Sequence, residues 1–382
     1  MFKKRSLNFF FNHAKLAGNK HKARRIRLFS RILKTGVFFS GHQTDRLIKN
    51  LHFYLREDGF ITTVASGHDA ILLSLQALGI KPNSEVIFPV NSYPTAFPIT
   101  LSGAKAIPVD VDKNGQMDIT AMKKKITENT RAVVLVHLYG NTTDIEAVTS
   151  YLSNKNIFFI EDVAQAFGTR FKGKHVGTFG DISCFSFYPT KNLGTVGDGG
   201  AIWTRHKDIY DYILKAKSYG ERIRYFSEFI AGHSRIPELQ AGILNLYFSS
   251  IEKDFARRKN VRSYYLQGVN DVNLSSVARP LGSNANSDPV PHLFVLDVPN
   301  RDSLRKFLKK YGVESHIHYP TPIHLVPAFS FLGYKKGDFP VAEKLSERIL
   351  SLPFHQGLSH KAIDYILSAV REFYRLHTRR IK

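Results

Sequence analysis

A single cysteine, Cys184, stands in a chain of 382 residues. One cysteine excludes any disulfide within the chain and any thiolate cluster for a metal. It makes a reducing cytoplasm the expected home. Long apolar runs are missing too, none approaching the roughly 20 residues a membrane span needs. Internal repeats and low-complexity tracts are absent. Acid is missing from one end: no Asp or Glu occurs between Met1 and Thr44. That stretch carries eleven Lys and Arg, half of the net charge of +22, interrupted by Phe9, Phe10 and Phe11.

Such a segment has three readings. It is a solvated tail, as long like-charged runs usually are. It is an arm that contacts an anionic surface, lipid or nucleic acid, since basic residues mixed with Phe and Leu suit an interface. Or it is a targeting peptide, being acid-free and Arg-rich. LNFFF is too short for a secretory signal. Zinc spacing, helix-turn-helix and RNA-binding signatures are all missing, so no specific nucleic-acid partner is expected.

What is present reads as an α/β protein of two domains, for which 382 residues are ample. EVIFPV, AIPVDV, RAVVLVHLYG and NIFFIEDVA are strand-like runs separated by helical patterns. RAVVLV is almost wholly apolar, which marks a strand covered on both faces. This alternation predicts a mostly parallel sheet between helices, with functional residues at strand carboxyl ends. A helix is expected over about Gly41–Asp58. A second is expected from His68 to Leu78, opened by the turn Ser66–Gly67 and stopped by Gly79. Free amides at that turn suit a phosphate, although plain capping explains it as well. A single long helix is expected from about Ile236 to Gln267.

Strand ends supply the candidates. Asp162 closes NIFFI. Lys191 lies among apolar and small residues in CFSFYPTKNLG, where a lysine loses charge and becomes a nucleophile toward carbonyls. Ser186 offers a hydroxyl five residues earlier. An acid, an amine and a phosphate cradle are what pyridoxal phosphate requires. Tyr93 follows EVIFPV, placed either to stack on a flat ring or to pack in the core. His137 and Tyr139 are read as structural. His318 and His324 are six apart on a proline-rich stretch, wrong for a helical metal pair, and each is a structural or a substrate-contacting residue. No metal site is expected.

The stretch EDVAQA, then GDISCFSFYPTKNLG, then GDGGA, closely resembles the pyridoxal-phosphate sugar aminotransferases of the DegT/StrS family. The resemblance runs from about Gly36 to the end, with no recognised counterpart before it. It implies the fold-type-I aminotransferase architecture. The expected division is a basic arm over 1–35, a cofactor-binding large domain over 36–245 and a small C-terminal α/β domain over 246–382. It implies that Lys191 carries the cofactor and shuttles protons, and that Asp162 holds the ring nitrogen protonated. Gln165 would bond the ring hydroxyl or flank the ring, Tyr93 would stack on it, and Ser186, Gly67 and His68 would bind phosphate. AGHSRIPELQA resembles the family segment that crosses a dimer interface to the neighbour's phosphate, which implies a homodimer with shared sites and roles for His233 and Arg235. His68 and His233 replace the family's usual hydroxyl residue and Asn. HYPTPIH resembles the segment bordering the substrate, implying contacts from His318, Tyr319 and His324. The implied activity is transfer of an amino group from an amino acid, usually glutamate, to a nucleotide-linked keto-sugar, for glycan or secondary-metabolite biosynthesis. A sugar dehydratase, which has His at the lysine position, and a non-catalytic homologue binding through its basic arm are the alternatives.

Overall fold

The computed structural model describes residues 21–272 and 274–378. The central sheet holds β1 (Phe60–Val64), β2 (Glu85–Pro89), β3 (Lys105–Val109), β4 (Thr130–Val136), β5 (Phe158–Asp162), β6 (Ile182–Ser186) and β7 (Gly200–Thr204). Across the sheet the order is β1-β7-β6-β5-β4-β2-β3. Neighbours from β3 through β6 pair in parallel, and β7 alone runs against both of its neighbours. The carboxyl ends of β1, β2, β5 and β6 therefore share one edge with the start of β7.

Successive strand residues face opposite ways. In β4, Ala132, Val134 and Val136 join the core on one face while Val133 and Leu135 join the other. Both faces are covered, which is why the strand reads as unbroken apolar sequence. Burying each such aliphatic side chain contributes roughly 1.5–3 kcal/mol.

The helices are α1 (Lys22–Thr35), α2 (His42–Leu55), α3 (Gly67–Ala77), α4 (Tyr93–Leu101), α5 (Ile119–Lys125), α6 (Ile145–Leu152), α7 (Lys207–Ala216), α8 (Glu238–Phe248), α9 (Ile251–Asp271), α10 (Arg301–Lys310), α11 (Pro340–Arg348) and α12 (His360–Thr378). A second, antiparallel sheet has the order β8 (Arg279–Pro280), β9 (Phe294–Asp297), β10 (Ile349–Leu352). It shares a separate core, including Tyr265, Leu304, Ile366 and Phe373, with α9, α10 and α12. Among the described residues no helix is long and apolar enough to cross a membrane.

Two sequence expectations need correction. The long helix expected over Ile236–Gln267 is two helices broken at Ser249 and Ser250. Pro237 fixes the entry to the first, and the Ser250 hydroxyl donates to Asp254 at the start of the second (3.0 Å). The solvated-tail reading also fails for the part of the basic arm that the structure describes. Residues 1–20 lie outside the described residues, but residues 22–35 form α1, which buries Leu28 and Ile32 against Ile243 of α8. A Cβ on Gly242 would meet Leu28 Cδ2 at 2.8 Å, so the glycine permits that approach. Six of the fourteen residues of α1 are Lys or Arg, and its two buried apolar anchors are Leu28 and Ile32.

Ile32→Asp should therefore release α1. Hydrogen exchange over residues 22–35 is expected to rise to unprotected rates while β4 and β5 keep their protection. Global loss of protection would show instead that α1 is integral to the main core.

Candidate active site

The turn from β1 into α3 is built around a missing side chain. The Ser66 hydroxyl caps α3 by accepting from the Asp69 amide (3.0 Å), and the first ladder bond runs from the Ala70 amide to the Ser66 carbonyl (3.0 Å). The amides of Gly67 and His68 precede that bond and point out of the helix start. A Cβ on Gly67 would lie 2.6 Å from the Ser186 Cβ, so only glycine lets the helix N-terminus and the end of β6 come together. Those amides and the Ser186 hydroxyl form an anion cradle, reinforced by the helix dipole.

Beside the cradle, Asp162 ends β5 and is buried. Its Oδ2 accepts from the Thr95 hydroxyl (2.8 Å) and its Oδ1 from the Ala164 amide (3.0 Å). The Thr95 proton is thereby committed, so Ser92 donates its own to the Thr95 oxygen (2.7 Å). Gln165 is held at both ends, accepting from the Tyr139 amide (2.8 Å) and donating to the Tyr319 hydroxyl (3.2 Å). Burial and the nearby Asp162 push that phenol up to about 12. The Tyr139 hydroxyl donates to the His318 carbonyl. The His318 ring meets the Ser351 hydroxyl (3.0 Å), and burial, then His316 and Lys191, pulls it down to about 4, so it is neutral at pH 7.

Lys191 completes the cavity, which Gly67, His68, Thr95, Asp162, Gln165 and Ser186 also line. Burial pulls its amine down from 10.5 to about 8, against the attraction of Asp162. The backbone around it is pinned. The Lys191 amide donates to the Tyr188 carbonyl (2.9 Å), and the Asn192 side chain donates to the carbonyls of Phe167 (3.2 Å) and Val290 (2.9 Å). A second cavity, about 340 Å³, borders the same loop and includes Arg258.

The other candidates lie further off. Tyr93 begins α4 half-exposed, its ring 5.0 Å from Phe97 and 6.0 Å from Tyr319. His324 is buried with Glu343 (2.9 Å) and against Phe339, away from the cavity lining. His233 and Arg235 bond to each other (2.9 Å) on the outer surface, and neither lines this chain's cavity. Ser234 between them turns inward, donating to Asp69 of α3 (2.6 Å) and accepting from the Ala65 amide (2.9 Å). Among the described residues no group of three His, Cys, Asp or Glu is placed to hold a metal.

Sequence reasoning missed Thr95, Asn192 and His292. His292 is buried, with an unpartnered Nδ1, and burial followed by the Lys191 charge holds it well below the usual imidazole range. Thr95 could have been found, since it follows the strand-end Tyr93 by two residues. Nothing local marks His292.

Fold and cavity define a class: a fold-type-I pyridoxal-phosphate enzyme, with an amine, an acid and an anion cradle at the strand ends. The sequence pattern of the DegT/DnrJ/EryC1/StrS aminotransferase family matches residues 19–371, α1 included, and the chain belongs to that family. The family match thus begins well before Gly36, the point from which the motifs alone imply the resemblance. The chain is 36% identical over 344 residues to the erythromycin biosynthesis sensory transduction protein EryC1 of Saccharopolyspora erythraea, covering 89% of this chain and 93% of the relative. It is 33% identical over 365 residues to the dTDP-3-amino-3,4,6-trideoxy-alpha-D-glucose transaminase of Streptomyces venezuelae, covering 95% of each. The S. venezuelae DesV structure, solved in complex with a ketimine intermediate, matches with a TM-score of 0.92 and 32% identity over 96% of this chain and 99% of that one. The protein is an aminotransferase dependent on pyridoxal phosphate.

The residues present fit that cofactor. The space at Gly67 that a Cβ would fill opens beside Ser186, an ionisable acid faces a ring-sized gap, and a desolvated amine closes it. Lys217 is likewise pulled down to about 8, by burial and Arg235, but its ammonium donates to Thr62 (2.7 Å) and Thr63 (3.2 Å) outside the cavity.

Borohydride reduction of cofactor-loaded protein should therefore leave a pyridoxyl group on Lys191 in peptide mapping, and label on Lys217 would refute the assignment. Only the deprotonated amine attacks an aldehyde. With a pKa of about 8, roughly one amine in ten is free at pH 7, against about one in 3,000 for an ordinary lysine. The rate of cofactor loading should rise with pH and level off above about 8. A rise continuing toward pH 10 would contradict the shift.

Thr95→Val keeps the shape but removes a hydrogen bond to a charged acceptor, which is worth about 1.5–3 kcal/mol. Turnover should fall by roughly 10- to 100-fold with the fold intact. Unchanged kcat would show that the Ala164 amide alone orients Asp162.

Proposed function

We propose that the chain moves an amino group from glutamate to a keto-sugar carried on a nucleoside diphosphate, in amino-sugar biosynthesis, as a homodimer with shared sites. One observation carries the chemistry: Lys191, Asp162 and the N-terminus of α3 converge on one cavity. The full-length similarity to a dTDP-sugar transaminase supports the sugar nucleotide. Lysine at position 191 argues against the dehydratase reading.

Pyridoxal phosphate supplies, when bound, a ring that withdraws electrons from the carbon where the amino group enters or leaves. The chain's residues do the rest. Asp162 would hold a proton on the ring nitrogen, and Thr95 and the Ala164 amide keep the carboxylate aimed. The amides of Gly67 and His68, with Ser186, bind the phosphate. Lys191 Nζ would hold the cofactor and would move the proton between carbons, a task for a base whose pKa lies near working pH. Gln165 lines the cavity, held in place by Tyr139 and Tyr319. Neutral His318 offers hydrogen bonding without adding positive charge beside Lys191.

The homodimer rests on the outward-facing segment. His233 and Arg235 do not line their own cavity, and Arg235 lies over the Phe39 ring (5.5 Å). Phe38, Phe39, Tyr225 and Phe226 are all exposed. With Phe39 packed against outward-facing Arg235, these exposed aromatics suit a second copy of the chain, whose phosphate cradle His233 would reach.

Incubation with glutamate and a panel of dTDP-, UDP- and GDP-linked keto-sugars should convert one to its amino-sugar with 2-oxoglutarate released one for one, read by mass spectrometry. Turnover of simple keto acids alone would overturn the sugar assignment. Mixing inactive Lys191→Ala chains with impaired His233→Ala chains should restore activity, because a heterodimer contains one intact shared site. A protein that is active and monomeric at assay concentration would rule the shared site out.

A further inference from the structure

Away from the cofactor cavity, α1 and α2 enclose a cleft of about 270 Å³ above α8. Arg24, Arg27 and Arg31 of α1 and Arg46 of α2 rim it, and Gln43 and Asn245 lie within it. The spacing of three and four residues puts the three α1 arginines on one helix face. The two amides are locked, since Asn245 donates to the Gln43 carbonyl (2.9 Å) and side-chain oxygen (3.2 Å). None of these residues lines the Lys191 cavity.

The four guanidinium groups are uncompensated. Among the described residues none of them makes an ion pair, and Arg27 alone makes a recorded hydrogen bond, to the Ala23 carbonyl (3.3 Å). The acid of α8 closest in the chain to this cleft, Glu238, is consumed by the amides of Gly41, Gln43 and Thr44 and the Thr44 hydroxyl. Like charges three and four apart on a helix repel. Arginine forks match the paired oxygens of a phosphate, and several phosphate oxygens at once would satisfy a rim of four. The small volume excludes a folded partner and suits a compact polyanion.

We propose that this cleft binds a phosphate-bearing anion of about diphosphate size. The source is either a soluble diphosphate or a phosphorylated lipid headgroup, and the binding groups are the same for both.

The test uses full-length protein loaded with pyridoxal phosphate, so that the cradle at Gly67 is already filled. Calorimetry with sodium pyrophosphate should show saturable binding that is roughly tenfold weaker or worse in Arg27→Gln/Arg31→Gln. Lys49→Gln/Lys253→Gln, an equal loss of charge at exposed sites outside the cleft, should bind as the parent does. Equal weakening in both variants, or no arginine-dependent binding, would overturn the proposal. Retained cofactor absorbance confirms that each variant is folded, and Arg46→Gln serves if the double variant is not. Sedimentation with phosphatidic-acid vesicles separates the sources. Vesicle binding that pyrophosphate reverses and the double variant lacks supports the lipid. Pyrophosphate binding without vesicle binding supports the soluble anion.

Discussion

Two positions without side chains bring the site together. A Cβ on Gly67 would collide with Ser186, and a Cβ on Gly200 would lie 2.4 Å from the Ser66 carbonyl oxygen. The start of α3 therefore rests directly on the end of β6 and the beginning of β7. Interiors packed to crystal density cannot absorb even one extra methyl at such contacts. If either contact were spread, the cradle amides would move away from the Ser186 hydroxyl. Asp69 would follow, and with it the Ser234 bond that fixes the outward-facing segment. The phosphate cradle and the surface assigned to a neighbour thus share one mechanical origin.

Adjacent carboxylates on β5 show how strand geometry divides labour. Glu161 and Asp162 face opposite sides of the sheet. Glu161 accepts from the amides of Gly177, Phe179 and Gly180 and pairs with His137 (2.9 Å). Burial alone would raise its pKa, but these hydrogen bonds hold it below the ordinary carboxylate range. It fixes the loop ahead of β6. Asp162, one residue on, has fewer donors and faces the cavity. A register slip of one residue would exchange the two environments.

The central sheet was legible because its strands are buried on both faces and separated by clear helix patterns. That Lys191, Asp162 and Ser186 gather on one cavity was legible because a long signature joins them, with Asp162 and Ser186 ending strands and Lys191 in the loop after β6. His292 was not, because its importance comes only from the approach of a segment about a hundred residues beyond Lys191. The break between α8 and α9 was hidden because two serines do not interrupt an apolar period. α1 was obscured by charge, since eleven cations outweigh two buried aliphatic residues in any composition. The outward direction of His233 and Arg235 depends on Ser234 turning inward, which alternation along an extended segment allows but sequence alone does not orient.

The pinned backbone on either side of Lys191 has a consequence in time. With the amide of Lys191 tied to Tyr188, and Asn192 tied to both Phe167 and Val290, the lysine has no loop to swing. Its amine can leave one position and return to another only by rotating its own side-chain bonds. Such rotations take picoseconds to nanoseconds, whereas loop rearrangements reach microseconds. Repositioning the amine is therefore fast compared with a typical turnover of milliseconds to a second. Turnover is then not gated by any movement of the backbone that carries the lysine.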